Sequence, residues 1–194
     1  MRTATLNRET KETQITLTLN LDGTGEFDID TGVGFFDHML SHVAKHGLFD
    51  LTLKATGDLH IDAHHTVEDV GIVFGQALAK AVGDKKGLVR FGTGMAPLDE
   101  ALVTVVVDFG GRSHLEYGLI LPTEKVGDFD SELAREFFIA LAANAGMALH
   151  VMQQSGRNTH HILESAFKSL GRALDEATQI DPRKTGVPST KGVL

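Results

Sequence analysis

The sequence predicts an α+β protein built by internal duplication of a βββαβα unit, giving two mixed four-stranded sheets whose helical layers pack against each other. Three observations lead there. Displacing the 194-residue chain by 96 positions lays residues 64–81 over residues 160–177 with seven identities: His64/His160, His65/His161, Glu68/Glu164, Gly75/Gly171, Ala77/Ala173, Leu78/Leu174 and Ala81/Ala177. Unrelated segments of that length would share about one. Strand-like and helix-like hydrophobic periods also follow in the same order in both halves. Finally, a half of about 90 residues buries too little surface to stand alone, so each half must cover the apolar face of the other.

In the first copy, Ile15, Leu17, Leu19 and Leu21 alternate as in a half-buried strand, and Asp22-Gly23 reads as a hairpin turn into Phe27 and Ile29. Residues 34–46 have helical spacing with Gly47 as the stop, residues 48–55 read as a strand, and residues 64–82 form a long amphipathic helix ending at Gly83. The second copy repeats this order with strand 101–108, a Gly110-Gly111 turn, strand 115–121, helix 131–148, strand 149–154 and helix 160–178. The expected organisation is a first repeat over 1–84, a second over 85–178 and a tail over 179–194, in one integrated domain. The tail holds Pro182 and Pro188 and has no periodicity, so composition alone leaves it balanced between disorder and a function.

Composition narrows the function. Lys and Arg number 18 against 26 Asp and Glu, a net charge of −8, which disfavours nucleic acid and anionic membrane surfaces as partners. No run approaches the ~18 apolar residues of a membrane span, and the N-terminus lacks a signal-peptide core, so a cytoplasmic protein is expected. With no cysteine, disulfides, thiolate nucleophiles and sulfur-ligated metals are excluded, and any metal must sit on nitrogen and oxygen. Histidine is in excess at ten residues, roughly double the ordinary share.

The histidines cluster in H-H-x-x-E, which opens the corresponding helix of each copy. His64 and Glu68 are four apart and share a helix face, as do His160 and Glu164, so each pair can chelate one ion. His65 and His161 point about 100° away around their helices, which implies two ions fed by adjacent histidines. Nitrogen and carboxylate donors with open positions favour manganese or iron over structural zinc. His38 lies 26 residues before His64, and Glu136 lies 24 before His160 in the matching helix, so both are further candidates. Arg90, Arg112 and Lys191 stand beside glycines and Lys168 lies on the helix opened by His160-His161, which suits either an anion site or plain surface charge.

Four stretches together resemble one family. GVGFFDHMLSHVAKHGLFDL, LHIDAHHTVEDVGI, GRNTHHILESAFKSLGRAL and the terminal STKGVL are similar, in order and over essentially the whole chain, to the imidazoleglycerol-phosphate dehydratases of histidine biosynthesis. The resemblance implies a ribosomal protein S5 domain 2-like fold and dehydration of D-erythro-imidazole-glycerol phosphate to imidazole-acetol phosphate. It implies a manganese enzyme with two Mn2+ per active site, whose trimers assemble with metal into a 24-mer. By motif, metal ligands fall on His38, His64, His65, Glu68, His160, His161 and Glu164, and substrate contacts on Glu12, His46, Arg90, Arg112, Lys168, Ser189, Thr190 and Lys191. The residue before Phe137-Phe138 is often a histidine ligand in that family and is Glu136 here, so either a carboxylate replaces the imidazole or one ion has a ligand fewer.

The chemistry agrees with that set. Loss of water requires removing a proton from a carbon with no neighbouring carbonyl, so the electrons need another sink, and the imidazole ring can be that sink if it binds as an imidazolate held by a dinuclear site. Glu12 and Glu164 are the candidates for the base. Two other classes use the same ligands: a non-catalytic metal-storage or metal-sensing oligomer, and a dinuclear hydrolase that would release inorganic phosphate.

Overall fold

The computed structural model describes residues 2–194. The first repeat runs β1 (Thr3–Glu9), β2 (Thr13–Asn20), β3 (Phe27–Asp30), α1 (Gly34–Gly47), β4 (Asp50–Gly57) and α2 (His64–Val82). The second runs β5 (Phe91–Leu98), β6 (Ala101–Asp108), β7 (His114–Gly118), a small hairpin of β8 (Lys125–Val126) and β9 (Phe129–Asp130), α3 (Leu133–Ala145), β10 (Ala148–Ser155) and α4 (Thr159–Thr178).

Alternation decides which way each sheet faces. Ile15, Leu17 and Leu19 on β2, and Val103, Val105 and Val107 on β6, are buried, while their neighbours turn outward. The sheets have orders β1-β2-β4-β3 and β5-β6-β10-β7, with the second and third strands antiparallel and the third and fourth parallel in each. α2 lies on β1 and β2, and α4 on β5 and β6; between the sheets α1 packs on α4 and α2 on α3. The layers are therefore sheet, helices, helices, sheet, and each helix of one repeat meets a helix of the other. Phe36, Phe74, Phe137, Phe138 and Phe167, all fully buried or within 1% of it, fill this middle layer.

Two of the repeated identities are explained by this packing. A Cβ on Gly75 of α2 would lie 2.7 Å from the Leu141 carbonyl oxygen of α3, and one on Gly171 of α4 would lie 2.7 Å from the Val43 carbonyl oxygen of α1. Both glycines let helices approach at the backbone, one at each cross-repeat contact.

Some elements differ from expectation. Asp22-Gly23 does not close a hairpin, because β3 pairs with β4 and not with β2. The chain instead turns around Asp50, whose carboxylate accepts the N–H groups of Thr24 and Glu26 at 2.8 and 3.2 Å. Gly110-Gly111 likewise leads across β10 to β7, and the true opening hairpins are β1–β2 and β5–β6. The strand expected from Leu48 begins at Asp50, since Leu48 is the left-handed cap of α1 with φ 55°. Helix α3 stops at Ala145, where Gly146 with φ 63° caps it. The tail is held: Leu88 bridges Ile180, Gly87 and Gly186 share a backbone bond, and Arg90 Nη1 donates to the Pro188 carbonyl at 2.8 Å. Among the described residues no helix is long and apolar enough to cross a membrane.

Candidate metal centre and anion pocket

The contact of α1 with α4 brings histidines and a carboxylate together across the repeats. His38 on α1 and His160 on α4 place Nε2 at 3.2 and 3.1 Å from Glu164 Oε2. One ligand atom from each of the three lies within 4.8 Å of the others, and among the described residues this is the one such group of His and acidic side chains. The other Glu164 oxygen accepts from Lys168 Nζ at 2.6 Å and lies 3.3 Å from His42 Nε2. Burial pushes the Glu164 carboxyl up, but the Lys168 ammonium and the surrounding imidazoles outweigh it and hold the group down at about 2. Burial lowers His42 to about 4, so its ring is neutral at neutral pH. Two imidazoles and an ionised carboxylate converging on one point suit a divalent cation of intermediate softness.

His46 continues this face of α1, its ring 5.7 Å from that of His42, and burial with the nearby Lys168 and Arg172 charges lowers its pKa. Lys168, expected as a substrate contact, donates to Glu164 from one turn further along α4. The rings of His64 and His65, and of His160 and His161, are each 6.2 Å apart and close to perpendicular, so adjacent histidines diverge as the helical geometry requires. His64, His65, Glu68 and His161 do not join the three-residue group within the chain. Glu136 does not join it either; its side chain faces Arg135, 3.6 Å away.

Each second histidine has a carboxylate on Nδ1. Asp58 Oδ2 is 3.0 Å from His65 Nδ1, and Glu100 Oε2 is 2.7 Å from His161 Nδ1. These bonds raise the pKa of both histidines and lower those of their partners, Glu100 to about 2. A ring fixed at Nδ1 presents Nε2 outward, the usual posture of a metal-bound histidine. Asp58 and Glu100 were missed in the sequence because nothing in their spacing ties them to the histidines; only strand closure does. Glu12, just before β2, stands 3.9 Å from the same His65 Nδ1.

The basic residues form a separate site. Arg90, Arg112, Ser189, Thr190 and Lys191 line a cavity of 770 Å³. Arg90 is gripped by Asp108 at 2.6 and 3.1 Å, reaches the tail at Pro188 and lies 4.6 Å over the Phe91 ring. Its backbone has φ 81°, a strained conformation of the kind found at functional sites. A second cavity, of 690 Å³, opens beside His38 between the start of α1 and the β8–β9 hairpin.

Known proteins share this architecture. The family model described as imidazoleglycerol-phosphate dehydratase matches residues 31–174. The imidazoleglycerol-phosphate dehydratase of Desulforamulus reducens is 60% identical over 193 residues, covering 100% of this chain and 98% of its own. That of Gluconobacter oxydans is 60% identical over 194 residues, again covering 100% and 98%. Among solved structures, the Staphylococcus aureus enzyme superposes with a TM-score of 0.83 at 41% identity over 92% of this chain and 99% of its own. The Pyrococcus furiosus one gives 0.84 at 37% identity over 97% and 100%. Sequence likeness along the full length and the same fold at this level of identity lead to one conclusion: the chain belongs to the imidazoleglycerol-phosphate dehydratase family of hydro-lyases.

Proposed function

We propose that this chain is a cytoplasmic, manganese-dependent lyase of histidine biosynthesis that dehydrates D-erythro-imidazole-glycerol phosphate to imidazole-acetol phosphate at a site holding two Mn2+. The observation that carries the reading is the convergence of His38, His160 and Glu164 from opposite repeats. These three would hold one ion. His64, His65, Glu68 and His161 would supply the remaining ligands. A metal bound there would supply Lewis acidity to the substrate's imidazole ring.

The chain's own groups do the rest. Arg90, Arg112, Lys191, Ser189 and Thr190 bind the phosphate and carry the remote binding energy that orients the glycerol carbons. His46 and Lys168 border the metal-facing end, and Lys168 keeps Glu164 ionised and fit to ligate. Because four side chains already engage Glu164, we assign the general base to Glu12, whose carboxylate is half-exposed and free of lysine or arginine partners among the described residues. It takes the proton from the middle glycerol carbon while the hydroxyl on the carbon beside the ring departs as water, and the enol left behind tautomerises to the keto product.

Self-association follows from length. The Arg90 N–H bonds to the Ala177 carbonyl near the end of α4, whereas Glu164 lies 13 residues earlier on that helix. At 1.5 Å per residue the anion pocket and the metal cluster are about 20 Å apart in one chain, well beyond the three carbons that join ring to phosphate. We therefore assign each complete site to more than one copy, consistent with metal-driven assembly of trimers into a 24-mer. One assay tests the reading: imidazoleglycerol phosphate, with and without Mn2+, followed for keto product and for free phosphate. Metal-dependent keto product is expected. Free phosphate would establish a hydrolase, and neither product would establish a storage or sensing protein.

A further inference from the structure

The two repeats hold their second histidines by different means, and the difference falls on Glu12. Glu12 is the residue immediately before β2, and Glu100 is the residue immediately before β6, so the two are topological equivalents. In the second repeat Glu100 bonds His161 Nδ1 at 2.7 Å, and its other oxygen accepts the N–H groups of Arg157 and Asn158 at 3.1 and 2.9 Å. That carboxylate is fully committed. In the first repeat the equivalent Glu12 stops 3.9 Å short of His65 Nδ1, and Asp58 makes the 3.0 Å bond instead. Asp58 is the residue immediately after β4; the residue immediately after β10 is Gly156, which has no side chain. An added Cβ at Gly156 would meet Ile162 at 2.7 Å and Ala101 at 3.1 Å, so the second repeat has no room for such a carboxylate.

Asp58 also holds Glu12 by its backbone. Its N–H donates to the Glu12 carbonyl at 3.1 Å, while Thr10 Oγ1 accepts the Glu12 N–H at 3.1 Å. The main chain of Glu12 is thus tied on both sides, and its carboxylate is left about half-exposed beside a histidine already satisfied by another group.

We propose that Asp58 is a positioning residue that takes over His65 and thereby keeps Glu12 free to act on substrate. The proposal rests on the reading of His65 as a metal ligand and of Glu12 as the base. Removing the Asp58 carboxylate leaves His65 Nδ1 open, and Glu12 is the other carboxylate within 4 Å that can fill it. The base is then captured by the ligand it stands beside.

The test is a double-mutant cycle of Asp58→Ala and Glu12→Gln in the full chain, read by kcat, by KM and by Mn2+ affinity from calorimetric titration of the metal-free protein. Asp58→Ala alone is expected to lower kcat on the order of 100-fold while weakening Mn2+ less than about tenfold, because Glu12 substitutes at His65. In the Glu12→Gln background the same change is expected to leave kcat where it was and to weaken Mn2+ more, since an amide replaces the captured carboxylate. Asp58→Asn, which retains an acceptor for Nδ1–H, is expected to restore most of kcat and guards against a folding defect in the alanine variant. Additive losses of kcat in the cycle, or Asp58→Ala with wild-type kcat, would overturn the proposal. His65→Ala separates this from the underlying reading: wild-type Mn2+ affinity there removes the ligand assignment itself, whereas lost affinity there with an additive cycle removes only the role of Asp58.

Discussion

At the scale of single residues, Glu164 shows how a buried carboxylate is kept ionised. Burial alone would favour its protonated form, but Lys168 and the imidazoles around it hold it ionised. The two histidines that open the repeated motifs are expected to be indispensable: His160 is one of the three donors that converge with His38 and Glu164, and His64 is its counterpart in the first repeat. We predict that His64→Ala and His160→Ala each abolish activity and metal-driven assembly while circular dichroism stays unchanged. Elemental analysis is the check, and full metal content in both variants would remove the two-ion assignment. Residue spacing made these histidines visible in the sequence, because a helix puts positions four apart on one face. It could not show Asp58 or Glu100, whose partners are set by where β4 and the β5–β6 turn come to rest.

Among elements, the close pair α1 and α4 carries the ligand geometry, and Gly171 sets their separation. We predict that Gly171→Ala costs about 1–3 kcal/mol of stability through overpacking. Metal affinity should fall with it, since His38 and Glu164 ride on the two helices being forced apart. Gly75→Ala is the control: it strains α2 against α3 by similar contacts, and metal affinity should change less than in Gly171→Ala. Equal losses of affinity in the two would detach the ligand cluster from this helix pair. The tail yields a different expectation. Lys191→Ala should raise KM far more than it lowers the melting temperature, and unaltered kinetics would reduce residues 189–191 to packing. Here the sequence was partly legible. Long helices and the buried strands β2 and β6 were plain from periodicity, but β5 was not, because Gly92 and Gly94 stand where side chains would meet the Ala173 and Ser169 carbonyls of α4. The tail gave no periodic signal, since main-chain bonds and Arg90 hold it in place of an apolar stripe.

At the scale of the whole molecule, duplication explains why the fold was readable and the site only in part. Local pattern repeats, so the order βββαβα and the mixed sheets follow from it. The proposed site would join groups that the chain itself keeps apart, and no pattern within one repeat encodes what meets them. Native mass is predicted to rise when Mn2+ is added to metal-free protein, and mass unchanged by metal would place the ligands within one copy. The 20-residue length of α4 has a kinetic corollary. In the proposed assembly a separated chain would own a metal-facing end and an anion-facing end without applying both to one molecule, so its turnover is expected to be nil however intact its fold. Rate should therefore climb more steeply than the first power of enzyme concentration where assembly is incomplete, and dilution should switch the protein off.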